Sequence, residues 1–208
     1  MTNTAVAKFN MIEQQVRPWE VLDNQVLSVL AQINREDFVR DPYKGLAYAD
    51  CQIPIGHGVR MLPPTVEGRM LQALLIEASD QVLEVGCGSG YITACLASLA
   101  QRVTSIDTRS EIIEFARGNV AECGLSNVDF AELELSQVDD RLAYDVIAVT
   151  GSLDKIPENL RQALKAGGRM FVIVGESPVM EALLITRVGE SEWTTQSLFE
   201  TDLPRLGR

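Results

Sequence analysis

Apolar residues follow two rhythms along this chain, and the change falls near residue 80. Before it, helical spacing alternates with stretches that have no period. Leu22, Val26, Val29, Leu30 and Ile33 fall on one helical face, with Asp23 or Asn24 available as N-cap. Residues 40–64 turn to Pro, Gly, Tyr and Asp. Tyr43, Leu46, Tyr48, Ile53 and Ile55 nevertheless give this segment apolar surface to bury, which predicts an ordered loop region rather than a linker. Pro63-Pro64 then leads into a helix with Val66, Met70, Leu71, Leu74 and Leu75 on one side.

Beyond Ser79-Asp80 short apolar runs alternate with helical patterns. Strands are predicted at 82–85, 103–106, 128–131, 146–149 and 170–174. Between them, Ile92, Cys95, Leu96 and Leu99 mark one helix, and Ile112, Ile113, Ala116 and Val120 a second that stops at Gly124. Leu160, Ala163 and Leu164 mark a third, opened by Pro157. Thr108-Arg109-Ser110-Glu111 has capping-box spacing at the start of the second helix. Gly167-Gly168 is expected to turn the chain into the fifth strand. The runs 182–188 and 193–199 flank Gly189-Glu190-Ser191-Glu192 as an antiparallel hairpin. Strand–helix alternation demands right-handed crossovers and a sheet covered on both faces. The predicted fold is therefore α/β, a doubly wound, mainly parallel, Rossmann-like sheet with a C-terminal antiparallel hairpin and an N-terminal helical extension. One domain over 1–208 is expected, with 1–64 as N-terminal helices and acceptor-side loop and 65–208 as cofactor-binding core.

Composition narrows the classes of partner. A net charge of −11 and the lack of any basic run argue against a nucleic-acid backbone as ligand. No apolar stretch approaches the roughly 20 residues of a membrane span. The first ten residues lack the pattern of a signal peptide, so a cytoplasmic protein is expected. Cys51, Cys87, Cys95 and Cys123 are scattered without a Cys-x-x-Cys pair and are expected as reduced thiols. With His57 as the single histidine, no metal site is expected.

The chemistry concentrates at Glu84-Val85-Gly86-Cys87-Gly88-Ser89-Gly90, which follows a strand and opens a helix. Glycines let the backbone approach a ligand closely, and amides at a helix start favour a negative group. The spacing Gly-x-Gly-x-Gly differs from the Gly-x-Gly-x-x-Gly of a dinucleotide pyrophosphate and suits S-adenosylmethionine, whose methionyl carboxylate would meet those amides. Asp107 ends the next strand, 17 residues past Gly90, where a carboxylate can accept hydrogen bonds from both ribose hydroxyls. The plainer reading of Asp107 is a capping neighbour of Thr108. Thr108 itself is grouped with Asp107 as a cofactor contact. Cys87 reads as a small loop filler. His57 either lines a pocket or serves as a structural loop residue.

With these motifs in place, the chain resembles the protein-L-isoaspartate O-methyltransferase family from about Met11 to the C-terminus. The likeness rests on Arg35-Glu36-Asp37-Phe38-Val39, Tyr48-Ala49-Asp50, Ile53-Pro54-Ile55-Gly56-His57-Gly58 and 82–91. The runs 144–150 and 164–169 add further matches. The Pro-Ile-Gly-x-Gly loop is the most specific part, since generic methyltransferases do not share it. The resemblance implies a doubly wound fold and methyl transfer from S-adenosylmethionine to the free carboxylate of isoaspartyl residues in damaged proteins or peptides. It places Gly86 to Gly90 around the methionyl and sulfonium end, Asp107 on the ribose in place of a Glu, and Leu133 and Glu134 near the adenine. It also implies His57, Arg60 and Leu62 on the acceptor side.

The departure lies just past Gly58. Where the family carries a Thr and a Ser beside the reacting carboxylate, this chain carries Arg60 and Leu62. Arg60 either pairs with the acceptor carboxylate or faces solvent or another carboxylate. Three functions follow: isoaspartyl methylation, methylation of another acceptor such as a small molecule, or cofactor binding without catalysis. A nicotinamide-dependent dehydrogenase is disfavoured by the glycine spacing and the closing hairpin.

Overall fold

The computed structural model describes residues 3–139 and 141–206. Helix α1 (Asn3–Asn10) runs on into a π-helical turn at Met11–Val16, whose Met11 and Val16 are buried. Helix α2 (Asn24–Gln32) is capped by Asp23, whose carboxylate accepts the backbone N–H of Gln25 at 2.8 Å and of Val26 at 2.9 Å. Leu22, placed on this helix by its spacing, precedes the cap and is 66% exposed. An N-cap leaves helical dihedrals (ψ is 122° at Asp23), so periodicity cannot extend through it.

The segment read as loop is more regular than expected. After a 3-10 turn at Arg35–Phe38, it holds a second one at Asp41–Leu46 and an antiparallel hairpin of β1 (Ile53–Gly56) and β2 (Val59–Met61). Its strands are too short, and too interrupted by Pro54 and glycine, for alternation to show. Helix α3 (Pro64–Leu74) starts on its proline as predicted. It ends before Leu75, which is left-handed (φ 45°) and 68% exposed rather than part of the apolar face.

From here the prediction and the structure agree closely. Strands β3 (Gln81–Val85), β4 (Arg102–Asp107), β5 (Val128–Glu132), β6 (Tyr144–Leu153) and β7 (Leu164–Glu176) are parallel. The pair β8 (Val179–Arg187) and β9 (Trp193–Thr201) adds an antiparallel edge. Their order is β5-β4-β3-β6-β7-β8-β9. Helices α4 (Tyr91–Leu99), α5 (Ser110–Glu122) and α6 (Glu158–Ala163) make the crossovers. Two local readings differ. Gly167-Gly168 forms a bulge inside β7, where the register on β6 jumps from Tyr144–Leu164 to Val146–Arg169. The predicted capping box at Thr108 does not form, because α5 starts at Ser110 with Arg109 as its N-cap.

The chain leaves β3 toward β4 and β5, then returns to place β6 on the other side of β3. Ligands bind in the crevice at such a reversal, outside the carboxyl ends of the strands. The N-terminal third is fastened over that crevice by one buried ion pair. Arg35 is fully buried and pairs with Glu67 of α3, while its Nη2 donates to the carbonyl of Leu62 at 2.6 Å. The same guanidinium lies 4.9 Å from the centroid of the Tyr91 ring, which Phe38 meets edge-on at 5.4 Å.

Removing one partner strands a buried charge, so Arg35→Met should cost about 3–5 kcal/mol in urea unfolding. Arg35→Met combined with Glu67→Leu should recover most of that loss. A single variant as stable as the wild type would contradict this role for the pair.

Candidate active site

The crevice is a cleft of about 670 Å³, including its open mouth. Its floor is the loop after β3, with Gly86, Cys87, Gly88 and Ser89. One wall is the hairpin segment 58–62, another the tip of β4 with Asp107 and Arg109, and a third Thr150, Gly151 and the C-terminal residues 204–206. The structure thus brings Glu84, Gly86, Cys87, Gly88, Ser89, Asp107, Arg60 and Leu62, all singled out from sequence, into one cavity lining.

The loop's shape follows from local constraints. Gly88 is left-handed (φ 52°), with nothing within 4 Å of where a Cβ would stand, so the cradle above it is open. Gly90 answers to packing: a Cβ there would lie 2.8 Å from the Ala116 carbonyl of α5. It stands behind the cleft as the N-cap of α4 and is not part of the lining. Asn119 of α5 donates to the Ser89 carbonyl at 2.8 Å, and Thr150 Oγ1 donates to the carbonyls of Val85, at 3.0 Å, and Gly86.

Glu84 is the most unusual group. It is fully buried, and its Oε2 accepts from Thr93 Oγ1 and Ser105 Oγ, each at 2.5 Å. Its Oε1 has no hydrogen-bond partner among the described residues. Burial pushes its pKa up to about 8, against the two hydroxyl donors and with a smaller push from Asp107. Cys87 Sγ lies 3.9 Å from Asp107 Oδ2, and burial, then the charges of Asp107 and Glu84, push its thiol well up. It is no nucleophile, in line with its reading as loop filler. Asp107 is buried, and its Oδ1 accepts the backbone N–H of Arg109 at 3.2 Å, with Arg109 Nε at 3.6 Å. It closes a turn at the strand tip in this way and lines the cleft, while α5 has no side-chain cap.

Thr108, Leu133, Glu134 and His57 lie outside the cleft lining. Thr108 is exposed. Leu133 packs on the sheet core. Glu134 is exposed and caps the 3-10 turn Leu135–Gln137 in a reciprocal box with Gln137. His57 is exposed at the hairpin tip, left-handed (φ 52°), and contributes its carbonyl to Arg109 Nη1 at 2.9 Å. Residues not foreseen include Arg109, Gly151, Arg205 and Leu206. Arg109 sits two positions past Asp107 at the strand tip, a signal open to use. The last two carry none, because only tertiary pairing brings them here. Among the described residues no group of three or more His, Cys, Asp or Glu is placed to hold a metal ion. No helix among them is long and apolar enough to cross a membrane, and all four cysteines are free.

Glu84 also sets a pH dependence. Its pKa rises from an ordinary 4.5 to about 8, so the folded state holds a proton that the unfolded state lacks between those values. The associated stability is fully present below 4.5 and is lost as pH rises through about 8. Urea unfolding between these limits should show a shallower decline with pH for Glu84→Gln than for the wild type. Identical slopes would contradict the assignment.

Comparison with known proteins bears on this geometry. The family model for protein-L-isoaspartate(D-aspartate) O-methyltransferase matches residues 7–201. A protein-L-isoaspartate O-methyltransferase of Rhodopseudomonas palustris is 34% identical over 200 residues, covering 95% of this chain and 92% of the relative. One from Koribacter versatilis is 37% identical over 188 residues, covering 90% and 84%. Among solved structures, a Plasmodium falciparum chain described as such a methyltransferase, in complex with S-adenosyl-L-homocysteine, superposes with a TM-score of 0.81. It has 20% identity and covers 99% of both chains, a likeness of fold. A match running from the first helix into the last strand, glycine loop and β1–β2 hairpin included, means that the chain belongs to the protein-L-isoaspartate O-methyltransferase family.

Proposed function

We propose that this chain transfers a methyl group from S-adenosylmethionine to the free carboxylate of isoaspartyl residues in damaged proteins or peptides. The observation that carries the proposal is the cleft itself. It joins the glycine loop and Asp107 to the hairpin of the family's acceptor side in one lining, within a family match over residues 7–201.

The residues present fit the cofactor. Glu84 Oε1 is buried and without a partner among the described residues, and a cationic ammonium beside it would lower the raised pKa and meet an ionised carboxylate. Asp107 offers a buried carboxylate for ribose hydroxyls, and the open cradle above Gly88 leaves room for the methionyl part. S-adenosylmethionine supplies an electrophilic methyl on a sulfonium, so an acceptor oxygen forms the new O–C bond as the C–S electron pair leaves with sulfur.

The acceptor side asks little of the protein chemically. A carboxylate is ionised at neutral pH, so no general base is required, and alignment of the reacting atoms supplies most of the acceleration. The missing Thr and Ser hydroxyls therefore remove hydrogen bonds worth about 1–3 kcal/mol rather than an essential proton acceptor. Arg60 is exposed and makes no hydrogen bond or ion pair among the described residues, which leaves its guanidinium available to a carboxylate. Leu62 is buried, and its carbonyl is held by Arg35. A lining made more apolar by Leu62 and more cationic by Arg60 also favours a second reading, in which another carboxylate is the acceptor.

Incubation with methyl-labelled donor should transfer label to an isoaspartyl peptide, as a base-labile ester, and not to its aspartyl twin. Label on the aspartyl twin or on a different carboxylate would favour the second reading. No base-labile methyl ester at saturating donor would exclude both.

A further inference from the structure

We propose that Arg205, in the C-terminal segment, is the specificity residue that binds the acceptor carboxylate, with Arg60 as the second cation of the same cleft. This deepens the reading above and rests on it for the identity of the acceptor.

The segment is tied down chiefly at Ser152. Ser152, fully buried on β6, donates its N–H to the Pro204 carbonyl at 3.0 Å and its Oγ to the Leu203 carbonyl at 2.9 Å. Its own carbonyl accepts the Leu206 N–H at 3.1 Å. Leu206 then packs so closely on the cleft floor that a Cβ at Gly86 or at Gly151 would come within 2.8 Å of its side chain. Arg205 is thereby set into the lining beside the glycine loop.

Its guanidinium is half committed. Nη2 pairs with Asp154 Oδ1 at 2.5 Å, and Asp154 is an exposed residue. Nη1 is buried with no hydrogen-bond partner among the described residues. A guanidinium keeps its charge and all its N–H donors, so a buried N–H lacking an acceptor marks a place for a ligand oxygen. Asp154 holds the fork from outside, and the free edge is left to the cleft. Arg109, the remaining arginine of the lining, gives Nη1 to the His57 carbonyl; its Nε, likewise buried without a hydrogen bond, lies 3.6 Å from the cleft's own Asp107 carboxylate, which opposes a second anion there. Arg60, unpaired among the described residues, and the unpartnered Nη1 edge of Arg205 are thus the donors left for an anion, in a chain whose net charge is −11. The planar fork suits a carboxylate and discriminates against its neutral amide.

The test is calorimetric binding of an isoaspartyl peptide and its α-carboxamide twin to protein saturated with S-adenosyl-L-homocysteine. The wild type should prefer the carboxylate by roughly tenfold or more, and Arg205→Met should abolish the preference while S-adenosyl-L-homocysteine still binds. Arg205→Lys keeps a charge beside Asp154 but loses the fork, and should lose several-fold of the preference; it serves if Arg205→Met does not fold. Undiminished discrimination in either variant, or a wild type that does not distinguish the two peptides, would overturn the assignment. Charge-dependent binding without any methyl transfer would refute the proposed reaction and leave this assignment standing.

Discussion

The ion pair of Arg35 and Glu67 is the constraint on which the cleft depends. A 3-10 turn, helix α3, the end of the β1–β2 hairpin and the first residue of α4 meet at this one guanidinium. Without it, the Leu62 carbonyl would be left unpaired in an apolar surround and the hairpin would lose its fixed relation to the glycine loop. Such a pair is costly to bury and gives little net stability over an apolar replacement. Its value lies in fixing the Leu62 carbonyl, and with it the end of the hairpin that lines the cleft.

The cleft is electrostatically divided. The side formed by the glycine loop and the tip of β4 carries the buried carboxyl groups of Glu84 and Asp107, of which Glu84 would ionise as a bound ammonium lowers its pKa. Its rim carries Arg60 and Arg205, suited to an anion. A sulfonium donor and a carboxylate acceptor carry opposite charges, both of which disappear on methyl transfer. A site of this kind need only bring them into line and keep the free acceptor oxygen pointed inward. The loss of the family's hydroxyls is thus compatible with retained chemistry, because a guanidinium orients a carboxylate at least as firmly.

Much of this was legible in the chain beforehand. Each strand and helix from 81 onward announced itself through runs and faces of apolar residues, since both sides of a doubly wound sheet must be covered. Asp107 and the glycine loop stood out because a ligand approaching a strand tip needs those residue types there. The failures are local. Leu22 and Leu75 continue an apolar period past the helix ends that Asp23 and a left-handed residue impose. The β1–β2 hairpin was hidden by its brevity. Thr108 has the spacing of a cap, but α5 starts at Ser110 and its N-cap Arg109 makes no side-chain capping hydrogen bond. Arg205 was invisible, because its place is set by pairing of the tail with Ser152 across the fold.

The most direct test of the cleft as a carboxylate-methylating site is a crystal structure of the complex with S-adenosyl-L-homocysteine and an isoaspartyl peptide. The predicted result has the cofactor's ammonium beside Glu84 Oε1, its ribose on Asp107, and the peptide's free carboxylate within hydrogen-bond distance of Arg205 Nη1. A cofactor seated away from Glu84 and Asp107, or a peptide carboxylate bound elsewhere with Arg205 turned to solvent, would contradict it.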